Sequence, residues 1–353
     1  ALGYQALDNN TTASFNTALG AQSLFTNTTG TNNTAVGLQA LYANTTGGYN
    51  TALGYASLVA NTTGANNVAV GKGAGTSNTT GTRNTFVGGG YALGNGAANT
   101  TGNDNSFFGV DAGGSNTTAS NNTAIGASAL KVNTTADNNT AVGMNTMLAN
   151  TTGDNNVAVG MNTMLGNTTG VNNTAVGQGA LRCNTTANEN TAFGMSALRV
   201  NTTGVFNTAV GLNAADANTT GQKHTAIGYA ALGAATTGED NTALGYQSVV
   251  AATTGSCNTG LGRSAGDNTT TGDNNISLGY AGRPSSATVS DEITLGNADN
   301  NNLRCADTSI STLSDLRDKT NVEDIPHGLD YILAMRPVKF DWNTRDGTRI
   351  GKK

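Results

Sequence analysis

The chain of 353 residues has few of the residues on which most globular enzymes depend. Charged residues make up only 11% and aromatic residues 5%, and there are 3 Pro and 3 Cys. A single large core needs more bulky apolar side chains than this composition supplies. No apolar run approaches the roughly 18 residues required to cross a membrane, and no N-terminal signal peptide is visible. We therefore expect neither an ordinary globule nor membrane insertion.

The charge and the cysteines exclude further classes. The net charge is −5 and the Lys and Arg residues are scattered, so no phosphate-binding footprint is present and we expect no nucleic-acid partner. Cys183, Cys257 and Cys305 are odd in number and occupy non-equivalent places in the repeat described below. This arrangement cannot form a disulfide ladder and predicts free thiols in a protein folded in a reducing cytoplasm.

The abundant residues are Gly, Asn and Thr, and they form a repeat. The motif Asn-Thr-Ala-(Val/Leu/Ile/Phe)-Gly recurs every 17 residues from Asn16 to a variant copy at Glu292, with four extra residues between Asn84 and Asn105. A fixed short period predicts a solenoid, whereas disordered tracts do not keep an apolar position in register. Residues 1–296 are thus predicted to be an all-β, parallel β-solenoid (β-roll) of 17-residue coils.

The repeat predicts which side chains are buried. With the leading Asn numbered position 0, position 3 is always a large apolar residue and position 1 is mostly Thr, replaced by Val68 or Ile276 in places. Alternating residues of a strand share a face, so positions 1 and 3 are predicted to be buried. Position 2 is mostly Ala and lies on the opposite face, where we expect a neighbouring subunit to approach closely. One thin coil buries little, which favours a trimer.

The rest of each coil predicts two reversals. Position 4 is always Gly, which suits a corner, and position 8 is usually Leu or Met. Asn-Thr-Thr-Gly follows as a second corner, so each coil is predicted to be strand, corner, short strand and turn. Asn and Thr at fixed positions should form hydrogen-bonded ladders along the rod. Two alternatives remain open, namely N-glycosylation of the Asn-Thr-Thr triplets and an ice-binding Thr ladder, although exchange of Thr with Val and Ile favours burial.

This region resembles the heads of trimeric autotransporter adhesins, whose repeats also carry Asn-x-(Val/Ala)-Ala-(Ile/Val)-Gly in a parallel β-roll. The Asn-Thr-Ala-(Ile/Val)-Gly array is also similar to arrays of predicted phage tail fibres. The resemblance implies architecture and trimeric assembly rather than a particular activity.

After Gly296 the repeat gives way to an Asn-rich stretch, 297–313, which is predicted to be a neck. Residues 314–353 open with Ser-Asp-Leu-Arg-Asp-Lys, continue with Gly-Leu-Asp and Ile-Leu, and reach Arg-Pro-Val-Lys-Phe-Asp-Trp. Leu329, Ile332 and Leu333 have helical spacing, and the alternation that ends at Trp342 predicts a strand.

This C-terminal pattern resembles the start of the endosialidase-type intramolecular chaperone of phage tail spikes and fibres. The resemblance implies a small α+β module that trimerises, templates folding of the stalk and then cuts itself off. Ser314 and Lys319 match the family's catalytic dyad, with the Leu313–Ser314 bond as the expected cleavage site. A desolvated lysine with a lowered pKa can activate a serine hydroxyl without histidine. Because the chain opens within a repeat and stops at Lys353, we expect a truncated chaperone and two cut ends.

Other candidate sites are weaker. His224 stands at position 0 and His327 lies in the tail, and neither has a partner at metal-ligand spacing. Asp291 and Glu292 are neighbours on a strand and point to opposite faces, unlike a glycosidase pair. We therefore expect no metal, no cofactor and no glycan hydrolase site. Four acidic residues recur near one turn and are interpreted as solvated turn residues rather than a cation site: Asp104, Asp137, Asp154 and Asp273.

Together these features predict a homotrimeric fibre segment of a phage tail, located in the virion, which attaches to a glycan or protein receptor on the host surface. Its only enzymatic act would be one autoproteolytic cut. The alternatives are a trimeric adhesin on a bacterial cell surface and an ice-binding or surface-layer solenoid.

Overall fold

The computed structural model describes residues 1–89 and 95–300, together with the short segments 342–343 and 349–351. The chain divides into two compact units, Ala1–Asn301 and Asn302–Lys353. The first unit carries 17 strands, each of three residues, in one sheet. Among the described residues no helix occurs, in keeping with the predicted all-β class. The predicted helix near Leu329 and the neck at 297–313, apart from its first residues, lie outside the described residues.

The strands follow one another at regular intervals. They are β1 (Thr17–Leu19), β2 (Thr34–Val36), β3 (Thr51–Leu53), β4 (Val68–Val70), β5 (Thr85–Val87), β6 (Ser106–Phe108), β7 (Thr123–Ile125), β8 (Thr140–Val142), β9 (Val157–Val159), β10 (Thr174–Val176), β11 (Thr191–Phe193), β12 (Thr208–Val210), β13 (Thr225–Ile227), β14 (Thr242–Leu244), β15 (Thr259–Leu261), β16 (Ile276–Leu278) and β17 (Ile293–Leu295). In the second unit β18 (Trp342–Asn343) pairs antiparallel with β19 (Arg349–Gly351).

Consecutive strands of the first unit pair in parallel with every repeat position facing its own equivalent. Thr17 pairs with Thr34, and the register survives the four extra residues, where Thr85 pairs with Ser106. At about 4.8 Å per strand the stack is roughly 80 Å long. The predicted parallel β-solenoid with a 17-residue period is confirmed.

The side of the strand that is buried is the reverse of the one predicted. Ala35 and Ala52 at position 2 are completely buried, whereas Leu19 and Leu53 at position 3 are 45% and 47% exposed. The prediction that positions 1 and 3 form the core was therefore wrong, and the alanines face the coil interior rather than a neighbouring subunit.

The thinness of the coil explains this reversal. The strand forms one wall of the interior. The residues at positions 7 and 8 form the opposite wall, here called the far wall, and they approach the strand closely. At Gly260, which replaces the position-2 alanine, an added Cβ would lie 2.5 Å from the Ser248 hydroxyl and would overlap Val249. Only a small side chain fits between the two walls in most coils, so the bulky residue at position 3 must point outward.

The far wall is not the short strand that the sequence predicted. Positions 6 and 8 adopt left-handed backbone conformations, as at Gln39 (φ 59°) and Leu41 (φ 53°). Such geometry costs about 1–2 kcal/mol for a non-glycine residue and is incompatible with a strand. It is retained because the chain turns sharply while its amides still reach the next coil, as where Leu24 N donates to Ala40 O at 3.0 Å. The apolar residue that the repeat places at position 8 is buried, as at Leu41.

The glycine at position 4 forms the predicted corner. Gly20 has φ 134°, and a Cβ there would lie 2.5 Å from the carbonyl oxygen of Gly37 in the next coil. Any side chain at this position would therefore separate the coils as well as strain the backbone.

Two ladders of buried asparagines connect the coils. At position 11, Asn44 Nδ2 donates to Asn27 Oδ1 at 2.8 Å and to Gly47 O at 2.9 Å. At position 0, Asn50 N donates to Asn33 Oδ1 at 2.9 Å. These side chains satisfy one another and the turn carbonyls inside the coil, where an unpaired polar group is costly. The predicted asparagine ladders are confirmed.

Two phenylalanines replace alanine at position 2 beside the four-residue insertion. Phe86 and Phe107 are completely buried, with ring centroids 5.9 Å apart. The far wall makes room for them because position 8 is glycine in three successive coils, at Gly75, Gly96 and Gly113. An added Cβ at each of these glycines would overlap a phenylalanine ring. Bulk is thus exchanged between the two walls of the coil.

Candidate functional site

The outer side of the strands forms one apolar surface along the whole solenoid. We define the apolar face as positions 1, 3 and 5 of each coil, position 5 being the residue after the glycine bend. The exposed large residues at position 3 are Leu2, Leu19, Leu53, Phe108, Ile125, Phe193, Ile227, Leu244, Leu261 and Leu295. Those at position 5 are Tyr4, Leu38, Tyr55, Val110, Met144, Met161, Met195, Leu212, Tyr229, Tyr246 and Tyr280.

The apolar face carries almost no charge. Positions 1 and 3 hold no Asp, Glu, Lys or Arg in any copy of the repeat, and position 5 holds only Lys72 and Arg263 among charged residues. Charges instead collect at other positions, as where Arg83 meets Asp104 at position 16. Hydrogen bonding to Arg83 holds the pKa of the Asp104 carboxyl below its ordinary value. Because apolar and charged positions are separated in this way, the apolar face is the candidate interaction surface.

Side chains at position 5 stack from coil to coil. The rings of Tyr229 and Tyr246 lie 4.9 Å apart and nearly parallel. One coil after Tyr246, the Arg263 guanidinium lies 5.6 Å from the Tyr246 ring centre and 5.5 Å from that of Tyr280. Such stacking restricts side chains that would otherwise be mobile on the surface. It gives the apolar face an ordered edge near the C-terminal end of the solenoid.

The asparagines of the Asn-Thr-Thr triplets are not available for modification in the folded chain. Asn44, Asn61 and Asn167 are completely buried, and their amide nitrogens donate to the ladder at position 11. A glycan on any of them would have to displace the interior of a coil. The glycosylation alternative is therefore incompatible with the fold at these residues.

The acidic turn residues have backbone partners. Asp137 Oδ1 accepts a hydrogen bond from Ser120 N, and Asp154 Oδ1 accepts one from Asp137 N, both at 2.7 Å. Asp273 Oδ1 accepts one from Ser256 N. Each carboxylate thus binds the preceding coil, which matches their interpretation as turn residues. Within the part of the chain that the structure describes, no cluster of His, Cys, Asp and Glu is arranged to hold a metal ion.

The adjacent carboxylates Asp291 and Glu292, near the end of the solenoid, do not form a hydrolytic pair. Glu292 accepts hydrogen bonds from the backbone and hydroxyl of Ser285, while Asp291 accepts one from Asn274 Nδ2. A cavity of about 530 Å³ beside this coil is lined by a single carboxylate, Asp299. Glycoside hydrolysis needs two carboxylates facing the same bond, which this cavity does not offer.

His224 replaces the ladder asparagine at position 0. Its backbone N donates to Asn207 Oδ1 at 2.9 Å, and its Nδ1 accepts from Asn241 N at 3.3 Å. Burial lowers the pKa of His224 to about 4, so the ring is neutral at ordinary pH. Its contacts are those of a structural residue. The other histidine, His327, lies outside the described residues.

The candidate dyad, Ser314 and Lys319, also lies outside the described residues, as does Cys305. Cys183 and Cys257 are exposed and free, as expected. Over the described ranges, no helix is long and apolar enough to cross a membrane.

Comparison with known families bears on this C-terminal segment. Residues 314–352 match the family model described as the chaperone of endosialidase. The chaperone-like segment begins at the serine that the sequence pattern singled out. A β-solenoid followed by this segment fits a phage tail fibre with an endosialidase-type chaperone, and the match points to a virion component. No curated protein matches the chain.

The repeat pattern singled out positions 1 and 3 of the apolar face but assigned them to the core. A signal that could have corrected this was the near-uniform Ala at position 2. A position that is small in nearly every coil, while its neighbours accept Thr, Val, Leu and Phe alike, is the confined one. Position 5 was not singled out, although Tyr, Leu and Met recur there.

Proposed function

We propose that this chain is a segment of a homotrimeric phage tail fibre that contributes to attachment at the host surface. The observation that carries the proposal is the order of the two parts along the chain. A charge-poor, ladder-stabilised rod roughly 80 Å long is followed by a segment that matches the endosialidase chaperone. A long repetitive rod is slow to align with its copies, and a trimerising module at one end supplies that alignment.

The proposed chemistry is a single cut beside Ser314. Lys319 accepts the hydroxyl proton, and the Ser314 oxygen attacks the carbonyl carbon of Leu313. The peptide nitrogen leaves with a proton, and water then hydrolyses the resulting ester, so that a carboxyl group at Leu313 and a free amine at Ser314 are released. No metal or cofactor enters this sequence of steps. A serine–lysine pair is sufficient when the lysine is neutral before attack.

Intact mass spectrometry of the product of the complete gene, including any residues that follow Lys353, tests this proposal. The wild type is expected to yield a product ending at residue 313, while Ser314→Ala and Lys319→Met remain uncut. Ser311→Ala is the matched control, since it removes a nearby serine and should leave cleavage unchanged. A wild-type chain that stays intact, or a Ser314→Ala chain that is still cut, would remove the assignment of the dyad.

The ice-binding alternative needs exposed threonines, and the threonines at position 1 are exposed rather than buried as predicted. The threonines at position 1 form a regular exposed column, as at Thr34 and Thr51. The bulky Leu and Phe side chains at position 3 interrupt the flatness that an ordered water layer requires. A thermal hysteresis assay on the purified chain separates the two functions, because the fibre is expected to give none.

A further inference from the structure

The apolar face leaves a large surface uncovered on a single chain. A half-exposed leucine or tyrosine leaves on the order of 90 Å² in contact with water, so positions 3 and 5 together leave roughly 2,000 Å². Soluble monomers rarely expose contiguous apolar patches beyond a few hundred Å². The area also exceeds the roughly 800 Å² that each partner contributes to a standard stable interface. The surface therefore requires an occupant that runs along the whole solenoid.

We propose that this occupant is a second and a third copy of the same chain, and that the apolar face is the seam between them. The inference deepens the proposed function, since it rests on the homotrimer and states where its contacts lie. A partner must match a 17-residue repeat stacked in one direction over 17 strands. An identical chain meets that condition in every coil. The absence of charge from positions 1 and 3 excludes an occupant recognised by ion pairs.

The apolar face has two parts, and this favours a closed ring of three chains over a dimer. Positions 1 and 3 lie on the strand, and position 5 lies beyond the bend at the glycine, as at Gly245 between Leu244 and Tyr246. Two apolar facets allow each chain to contact one neighbour with the strand and the other neighbour with position 5. Contacts between unlike facets generate rings, and copies related by a cyclic axis are parallel. The position-2 alanines take no part, because they are inside the coil.

Lysine substitution on the apolar face tests the seam. Ile227 and Leu244 are 37% and 42% exposed, so Ile227→Lys with Leu244→Lys leaves the interior of each coil intact. We expect the wild type to have the mass of three chains by light scattering and the double variant that of one chain. Far-ultraviolet circular dichroism should be unchanged. The matched control is Thr254→Lys, an exposed residue at position 13 of the same coil as Leu244, which should keep the threefold mass.

A thiol protection experiment guards against a variant that fails to fold. Cys183, Cys257 and Cys305 are replaced by Ser, and a single cysteine is introduced as Leu244→Cys or, in the control, as Thr254→Cys. We expect alkylation of the Leu244→Cys thiol in the assembled protein to be at least tenfold slower than that of the control. Mild urea that separates the chains should abolish the difference.

The outcomes separate this inference from the function on which it rests. A threefold mass that persists in the lysine variant, or equal alkylation rates at the two positions, overturns the seam and leaves the trimeric fibre in place. A wild-type chain that is monomeric overturns both the seam and the trimer. Protection of the Leu244→Cys thiol that appears only when phosphatidylcholine vesicles are added assigns the face to lipid and likewise overturns the seam.

Discussion

The exchange of bulk between Phe107 and Gly113 yields the sharpest prediction about the fold. In the next coil the same two positions hold Ala124 and Leu130, which is the common arrangement of the repeat. Replacing Phe107 by Ala removes a completely buried ring and its contact with Phe86, and should cost about 3–5 kcal/mol of unfolding free energy. Gly113→Leu alone should cost about 2–4 kcal/mol, because its Cβ overlaps that ring and overpacking strains the coil.

The two changes together should largely cancel. Phe107→Ala with Gly113→Leu recreates the arrangement of the next coil, and leucine is already accommodated there at Leu130 with φ 49°, close to the φ of 59° at Gly113. We expect the double variant to lie within about 2 kcal/mol of the wild type. Since the two single costs sum to at least about 5 kcal/mol, the coupling free energy between the two positions should be at least about 3 kcal/mol.

Urea unfolding followed by far-ultraviolet circular dichroism measures this coupling in the full chain. Repeat arrays can unfold in parts, so hydrogen exchange of peptides covering residues 105–121 supplies the local value. Gly179→Ala is a suitable control, because that residue also has a left-handed φ of 67° but an added Cβ would approach only the Ser196 hydroxyl, at 3.9 Å. Additive effects of the two core substitutions would refute the account of the two walls.

Two further predictions concern the asparagine ladder. Burial lowers the pKa of His224 to about 4, from about 6.5 in the unfolded chain. The contribution of the neutral ring to the free energy of unfolding is therefore complete above pH 6.5 and falls by about 3 kcal/mol as the pH drops to 4. His224→Asn should remove that part of the pH dependence of urea unfolding. Asn156→Ala should lower the free energy of unfolding by about 3 kcal/mol, because Asn173 N and Gly170 O lose their buried hydrogen-bond partner. Unchanged hydrogen exchange of the Asn173 amide in this variant would contradict the prediction.

The sequence predicted the period, the parallel stacking and the asparagine ladders because each is a property of the repeat itself. A residue that recurs every 17 positions must meet its own equivalent in the next coil, whatever the cross-section of the coil. Asn44 and Asn50 therefore find ladder partners in any stacked arrangement. The match at residues 314–352 likewise depends on a linear pattern, which begins at the predicted serine.

The cross-section of the coil could not be predicted from the repeat. Alternation in a three-residue strand places the side chains of positions 1 and 3 on one face and that of position 2 on the other. It does not determine which of the two faces points into the coil. Hydrophobicity favoured Leu19 and Leu53 as core residues, yet both are exposed. Left-handed turns at positions 6 and 8, occupied by ordinary residues such as Gln39 and Leu41, bring the far wall so close that size rather than hydrophobicity selects the interior.

What the sequence by itself determined is therefore the axis of the molecule: the repeat, its length, its direction and the segment that follows it. What only the tertiary structure decided is which side of each strand faces the interior, and with it the location of the exposed apolar face. The reason is physical. The periodicity constrains contacts between coils, whereas the distance between the two walls within a coil depends on left-handed turns formed by ordinary residues, which the residue type does not predict. Ala35 is inside and Leu53 outside for that reason alone.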